Sequence, residues 1–394
     1  MVLLDNVQFI YELALAQLEL QSFGARFALA DGFRQFRLLE AKDDDELRRR
    51  LAYFKSVNGA LTHYFHIIRK NRTRSLNQYL THWIYPYKGK FHPQMIRALL
   101  NIIGLSPGET LLDPFAGSGT AAVEAQLLGI NCIGFDISPL CVLQSRVKTE
   151  SVLAYDEILS ASEEVMSAVG ASLLDSQLRV ARDVIDSMDE GPVRNFYEMV
   201  ELVSISDRAR RRRDFGSSFV KNLERMLASV GDYRSVAESL GLKLGDVNIV
   251  RGDARSLDLP DASIDGIITS PPYSIALDYL ANDAHALEHL GYAAADLRPR
   301  FMGLRGRGEA KLALYNEDLK RSLAEMFRVL RRDGYAAIVV GNATYSGQEV
   351  KTIDSVTRFA QEIGFRLEKD VPKIIFGLYN VMQSEHILIF RKAS

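Results

Sequence analysis

The sequence predicts an α/β protein whose core is a largely parallel sheet covered by helices on both faces. Three observations predict it. Short, almost continuously apolar runs recur at 110–113, 130–135, 247–250, 266–269, 335–340 and 387–390. Helical periodicity falls between them, as at Thr120–Leu128, Leu319–Leu330 and Ile353–Ile363. Strands apolar on both faces need cover on both sides, which parallel sheets obtain from crossover helices. The first run also turns through Gly117 and Gly119 directly into a helix, a Rossmann-like strand–turn–helix unit.

Composition sets the outer bounds. A chain of 394 residues, 47% hydrophobic and 25% charged, is neither disordered, fibrous nor a small disulfide scaffold. Lys and Arg number 48 against 50 Asp and Glu, so any nucleic-acid binding must come from local patches. Cys132 and Cys141 sit in no CxxC pattern, which points to a reducing cytoplasm and to no structural metal. The N-terminus carries Asp5, Glu12 and Glu19 without a basic leader, unlike a signal peptide, and no apolar run is long enough to span a bilayer.

Along the chain, residues 1–80 are expected to form a basic helical segment, with one amphipathic helix over 7–22 ending near Gly24. From Leu47 to Gly108 there are 11 basic residues and no acid, interleaved with aromatics such as Tyr53, Tyr64, Tyr79 and Trp83. That pattern suits a nucleic-acid surface, with Arg69, Lys70, Arg72 and Arg74 the densest cluster. Residues 81–150 and 246–394 supply the sheet, and 151–245, periodic but strandless, read as a helical insertion between two of its strands. The insertion carries Arg210, Arg211, Arg212 and Arg213, either a solvated face or a phosphate contact, and is the candidate target-recognition region.

Gly117-Ser118-Gly119-Thr120-Ala121-Ala122 fits GxGxxA, and Asp136 ends the next strand. Glycines let backbone approach a ligand, and an acid there suits the paired hydroxyls of a ribose, so the pattern indicates a nucleoside-bearing cofactor. Asp113 before the turn is wrong for a pyrophosphate and right for a cationic cofactor. Thr269-Ser270-Pro271-Pro272-Tyr273 ends another strand, and two prolines force the chain out of the sheet at its carboxyl edge, where α/β ligands bind.

Together these segments resemble the S-adenosylmethionine-dependent amino-methyltransferases that modify exocyclic amines of nucleobases, above all DNA N4-cytosine and N6-adenine methylases. The resemblance covers Tyr85–Lys148 and Val247–Lys392, roughly half of the chain. It implies a class I methyltransferase fold with a seven-stranded mixed sheet over 81–150 and 246–394, and S-adenosyl-L-methionine as cofactor. YPYKGKFHPQMI (85–96) is similar to the segment that folds over the cofactor's methionine part, implying Lys88, Phe91 and His92. LLDPFAGSGT resembles the cofactor loop, implying Asp113, Pro114, Phe115, Ala116, Gly117, Ser118, Gly119 and Thr120. GFDIS implies Asp136 and Ile137 at the ribose, and RGDARSL implies Asp253 and Ala254 at the adenine. TSPPY resembles the catalytic motif, with Ser270, Pro271, Pro272 and Tyr273 holding the flipped base and its amine. Asp278, Tyr279, Asp283, His285 and His289 follow and are placed to line the base pocket.

Ser270 stands where adenine methylases carry Asp or Asn, which favours N4 of cytosine. C5 chemistry needs a cysteine after a proline, and neither Cys132 nor Cys141 follows one. DNA is therefore the expected partner, a cognate restriction endonuclease a possible second one. Guanosine-N2 methylation of tRNA and N6-adenine methylation of DNA are the alternatives in the same enzyme class. A turnover-dead nucleic-acid binder is disfavoured by the intact TSPPY, and a dehydrogenase by Asp113 and the Pro-Pro-Tyr turn.

Overall fold

A computed structural model describes residues 1–73, 75–172, 176–272, 278–345, 348–373 and 382–393. The chain opens with β1 (Val2–Leu3), α1 (Ile10–Ser22), β2 (Arg26–Ala30), β3 (Gln35–Glu40), α2 (Asp44–Arg50), β4 (Phe54–Val57), β5 (Ala60–Leu61) and α3 (His63–Ile68). The strands form an antiparallel sheet in the order β2-β3-β1-β4-β5. The expected helix over 7–22 is present, but the expectation of an otherwise helical segment is corrected. These strands run only two to six residues, and β3 buries little besides Phe36, so alternation is too brief to read. One local sign existed: Asp31-Gly32 makes the β2–β3 turn, where Asp31, Gly32 and Phe33 all have positive φ (46°, 60° and 64°).

The central part runs α4 (Pro93–Ile102), β6 (Thr110–Asp113), α5 (Thr120–Leu127), β7 (Asn131–Asp136) and α6 (Pro139–Glu150). Four further helices follow: α7 (Tyr155–Gly170), α8 (Gln177–Asp186), α9 (Pro192–Arg211) and α10 (Phe215–Ser239). The chain then returns through β8 (Val247–Arg251), β9 (Ile264–Thr269), α11 (Tyr279–His289), α12 (Ala294–Leu297) and α13 (Gly308–Val329). It ends with β10 (Leu330–Tyr345), β11 (Gln348–Val350), α14 (Thr352–Ile363), β12 (Phe365–Lys373) and β13 (Met382–Lys392).

The main sheet follows the order β12-β13-β10-β9-β6-β7-β8, with short β11 attached to β10. β8, β7, β6, β9 and β10 are mutually parallel, and β13 is antiparallel to both β10 and β12. This is the seven-stranded mixed sheet that the family resemblance implied. Successive side chains alternate between its faces. Leu111, Ile268 and Ala337 join one buried cluster with α4 and α5, while Leu112, Ile267 and Ile338 join another with α13 and α14. β12 went unread in the sequence because it is an edge strand: it exposes Arg366 and Lys369 and carries Pro372, which only an edge tolerates.

A charged network lies buried beneath the sheet's central turn. Glu124 of α5 accepts from the Tyr79 hydroxyl at 2.6 Å, faces His82 Nε2 at 2.9 Å and meets Arg97 of α4 at 3.4 Å. Burial opposes ionisation, yet His82, Arg97 and Tyr79 together hold the Glu124 carboxyl below its usual range. Burial pushes His82 down to about 4, so Arg97 is the group that carries the positive charge. Glu124→Ala leaves that guanidinium buried without a counter-charge, and the expected loss is about 3–5 kcal/mol in urea unfolding. A loss below 1 kcal/mol would assign Arg97 enough compensation from the Arg49 and Arg50 carbonyls it also contacts.

Candidate active site

The carboxyl ends of β6, β7 and β9 open onto a cavity of about 1080 Å³, its mouth included. The β6–α5 turn supplies Pro114, Phe115, Ala116, Gly117 and Ser118 to its wall. Gly117 has φ 50°, and a Cβ there would stand 3.4 Å from the Tyr87 ring. Two side chains of α6 fix the turn from behind: Gln144 donates to the Gly117 carbonyl at 2.9 Å and buried Lys148 to the Ser118 carbonyl at 2.7 Å. With its carbonyls engaged, the turn is a rigid cradle, and its neighbour Asp136 faces the same space.

Asp136 accepts from the Gly117 amide at 2.8 Å and from the Ser138 amide at 2.8 Å. Burial pushes its carboxyl up to about 6 against the pull of those amides. Two carboxylate oxygens offer about four acceptor sites, so both can still receive ligand hydroxyls. Ile137 lines the cavity beside it. Asp253 and Ala254 line another part, where Arg255 grips Asp253 through Nε at 2.8 Å and Nη2 at 2.6 Å. Despite partial burial, this pairing holds Asp253 below the usual carboxylate range. Ser270 and Pro272 bring the β9 turn to the same cavity, and Tyr315 of α13 anchors that turn by donating to the Pro272 carbonyl at 2.9 Å.

Several expected contacts lie elsewhere. Asp113 is buried outside the cavity lining, where it accepts from Thr269 Oγ1 at 2.7 Å and from the Phe115 amide at 3.2 Å. Its expected role as a direct counter-charge to a cationic cofactor is therefore corrected: it joins the two turns. Gly119 is also outside the lining, and its need for glycine is packing, since a Cβ would meet Ser145 of α6 at 2.7 Å. Thr120 is buried against Ser118 at 3.0 Å. Phe91 lines the cavity, but Lys88 bonds Asn282 at 2.9 Å and His92, at the start of α4, meets Asn77 at 2.9 Å. Neither Lys88 nor His92 belongs to the lining, and the same is true of Pro271. Tyr273 lies outside the described residues, as does Arg74.

The basic clusters are largely committed within the fold. Lys70 and Arg72 converge on Asp232 of α10 at 3.7 and 2.5 Å, and Arg69 sits over the Phe65 ring at 5.6 Å. Arg211 and Arg213 pair with Asp207 at 2.6 and 3.7 Å. Arg210 donates to the Pro86 and Asn282 carbonyls and meets Asp283 at 3.2 Å. Of the four arginines, Arg212 stands exposed without such a tie among the described residues, in the left-handed region at φ 53°. The sequence leaves the 210–213 arginines open as a solvated face or a phosphate contact. Arg211 and Arg213 stay exposed and pair locally with Asp207 of α9, while Lys70, Arg72 and Arg210 are drawn to carboxylates of other elements.

Among the residues after the β9 turn, Tyr279 and Asp283 do line the cavity, whereas Asp278, His285 and His289 do not. Tyr279 stacks on Tyr87 with centroids 6.1 Å apart, and Asp283 accepts from the Tyr85 hydroxyl at 3.1 Å. Burial raises the Asp283 carboxyl although Tyr85 and Arg210 oppose it. The sequence reading missed Tyr87, Leu287, Arg300, Phe301 and Met302 in this wall. Tyr87 lay inside the quoted 85–96 segment, but nothing local marked the others.

Burial pushes the Asp113 carboxyl up to about 7, with Thr269 and the Phe115 amide opposing and Asp136 adding repulsion. A native carboxyl above its unfolded value of roughly 3.9 binds more protons folded than unfolded, so its contribution is full at low pH and is lost as pH rises from about 4 to about 7. Asp113→Asn should remove that component. Between pH 4 and 7 the stability of the wild type should fall relative to the variant by up to about 1.4 kcal/mol per unit. Urea midpoints across this range measure it, and parallel curves would place the Asp113 proton elsewhere.

Residues 84–188 match the UPF0020 family, described as an RMKL-like methyltransferase domain. The chain is similar to the type II methyltransferase M.BsoBI of Geobacillus stearothermophilus, 43% identical over 86 residues, 20% of this chain and 17% of that protein. It is equally similar to the type II methyltransferase M.MjaII of Methanocaldococcus jannaschii, 43% identical over 81 residues, 21% of this chain and 14% of that one. A tRNA (guanine(10)-N2)-dimethyltransferase of Methanothermobacter thermautotrophicus is 32% identical over 77 residues, 20% of this chain and 22% of its own. Each match thus spans less than a quarter of the relative's length. The family match contains the glycine-bearing turn and Asp136. Residues 84–188 are therefore similar to a methyltransferase domain.

Proposed function

We propose that the chain methylates the exocyclic amine of a base in DNA, N4 of cytosine, after the base is flipped out of the helix. The observation that carries this reading is the convergence of two turns on one cavity. The Gly117–Asp136 cradle suits a nucleoside cofactor, and the Ser270–Pro272 turn suits a flipped base, and both line the same space. Flipping is required because an amine inside a stacked duplex is out of reach.

The residues present fit S-adenosylmethionine. Asp136 keeps acceptor sites for ribose hydroxyls, and Asp253 keeps one for an adenine amine. Phe115, Ile137, Leu287 and Phe301 give the apolar walls that a purine ring needs. When bound, the cofactor supplies an electrophilic methyl group on a sulfonium. The Ser270 hydroxyl and the Pro271 carbonyl hold the target amine and restrict its orientation, and no covalent enzyme intermediate is required. Tyr273 is the proposed stacking partner of the base, an interaction worth about 1–3 kcal/mol in single-strand binders. Tyr315 keeps the turn from shifting by holding the Pro272 carbonyl.

DNA is favoured by the two type II methyltransferases among the relatives, and cytosine by Ser270 at the head of the catalytic turn. The tRNA dimethyltransferase among the relatives supports guanosine-N2 methylation as the second reading. Incubating the protein with methyl-labelled S-adenosylmethionine and either DNA or tRNA, then identifying nucleosides by mass, separates them. N4-methyldeoxycytidine is expected. N2-methylguanosine with unmodified DNA would overturn the substrate and leave amine methylation standing.

Cofactor affinity should depend on pH through Asp136. Ribose hydroxyls donate to the ionised carboxylate, so binding favours the deprotonated form. With the free carboxyl near 6, affinity should be level above that pH and fall about tenfold per unit below it. Asp136→Asn should bind weakly at every pH without this slope. Calorimetry between pH 5 and 8 measures both, and a level wild-type profile would remove Asp136 from the ribose.

A further inference from the structure

The segment between α12 and α13 reads Arg298-Pro299-Arg300-Phe301-Met302-Gly303-Leu304-Arg305-Gly306-Arg307-Gly308. From Arg298 to Lys311 it holds five basic residues against one acid, Glu309. Its apolar residues Phe301, Met302 and Leu304 are buried, and Phe301 and Met302 form part of the cavity wall. The loop is therefore locked onto the mouth of the candidate site.

Its backbone is shaped for that position. Gly303, Gly306 and Gly308 all take positive φ (78°, 76° and 55°). A Cβ on Gly306 would meet Lys311 backbone at 3.2 Å, so the tight return into α13 requires glycine. Two cross-links hold the loop. Arg255 donates to the Arg300 carbonyl at 2.9 Å and pairs with Asp318 of α13 at 3.0 Å, and Arg305 pairs with the same Asp318 at 2.5 Å. Arg298 is likewise engaged, by Asp278 at 2.6 Å.

Arg300 and Arg307 differ from these. Both are exposed, and among the described residues no carboxylate lies within ion-pair distance of either. The paired arginines fix the loop. Arg300 lines the cavity and its charge helps lower Asp253, and Arg307 stands exposed where the loop enters α13. Guanidinium groups offer forked donors that match phosphate oxygens, and placing them on a rigid loop limits the entropy lost on contact.

We infer that this arginine–glycine loop is the phosphate clamp of the DNA strand that carries the target base, with Arg300 and Arg307 contacting its backbone. The inference rests on the proposed DNA-methylating function. It assigns the contact to a different element from the 208–213 turn, whose Arg210, Arg211 and Arg213 are tied down within the fold.

The test is the salt dependence of duplex DNA affinity for the full chain and for Arg307→Ala, Arg300→Ala/Arg307→Ala and Arg300→Lys/Arg307→Lys, with thermal unfolding as the folding control. Each duplex phosphate contact contributes about 0.9 to the slope of log K against log salt. Arg307→Ala should make the slope shallower by up to ~0.9 and the double alanine variant by up to ~1.8. The lysine pair should restore most of the slope. Arg307 lies outside the cavity lining, so Arg307→Ala should keep the wild-type affinity for S-adenosylmethionine. Folded alanine variants with the wild-type slope would overturn the clamp, and so would an Arg307→Ala effect matched by an equal loss of cofactor binding. If the wild type leaves DNA unmethylated, the proposed function fails; if it methylates DNA while the variants keep its slope, only the clamp fails.

Discussion

The hydrogen bond from Thr269 to Asp113 joins the two turns on which the candidate site is built. β6 and β9 are adjacent and parallel, with Leu111 opposite Gly266 and Leu112 opposite Ile267, so their carboxyl ends emerge side by side. Asp113 is the last residue of one strand and Thr269 the last of the other, and 2.7 Å separates their oxygens. Parallel pairing alone puts both turns at one edge of the sheet. The side-chain bond then fixes their relative height, and because it is buried, water does not compete for it. A site that must bring two molecules into line depends on such rigid supports.

The glycine-bearing turn is organised from two sides. Gln144 and Lys148 occupy its carbonyls from α6, and Asp136 occupies the Gly117 amide from β7. Lys148 is fully buried, and desolvation pulls its ammonium well below the usual range. Its proximity to a carbonyl instead of a carboxylate leaves Asp136 as the negative group at the turn. That arrangement keeps acceptor character on the cavity side, where a ribose would present donors.

Much of this was legible in the sequence. The central strands of the main sheet are apolar on both faces, and the turns at their ends carry Gly, Pro and Asp at positions with a mechanical reason. What escaped the sequence depended on direction or distance. Asp113 could be placed at a strand end, but whether its carboxyl faced the ligand or Thr269 is decided by neighbours more than a hundred residues away. The same holds for Tyr279 on Tyr87 and for Asp283 beneath Tyr85, where one partner belongs to the first half of the domain and the other to the second. Half-exposed strands such as β3 and β12 carry too few buried residues for their period to show.

Charge was the least legible property, for a physical reason. A basic run in sequence measures how many cations are near one another, whereas binding depends on how many remain unpaired after folding. The acid-free stretch from Leu47 to Gly108 meets its partners from elsewhere. Arg97 takes Glu124, Lys88 takes Asn282, and Lys70 with Arg72 takes Asp232. A chain with almost equal numbers of acids and bases allows this, since acids excluded from one segment must accumulate in others. The loop over the cavity mouth shows the opposite outcome. There one aspartate, Asp318, serves two arginines, and the exposed Arg300 and Arg307 have no carboxylate within ion-pair distance among the described residues. Of the clusters that looked dense, Lys70 and Arg72 tie the N-terminal segment to α10 and Arg210 ties α9 to α11, whereas the loop at the cavity leaves Arg300 and Arg307 without an ion-pair partner among the described residues.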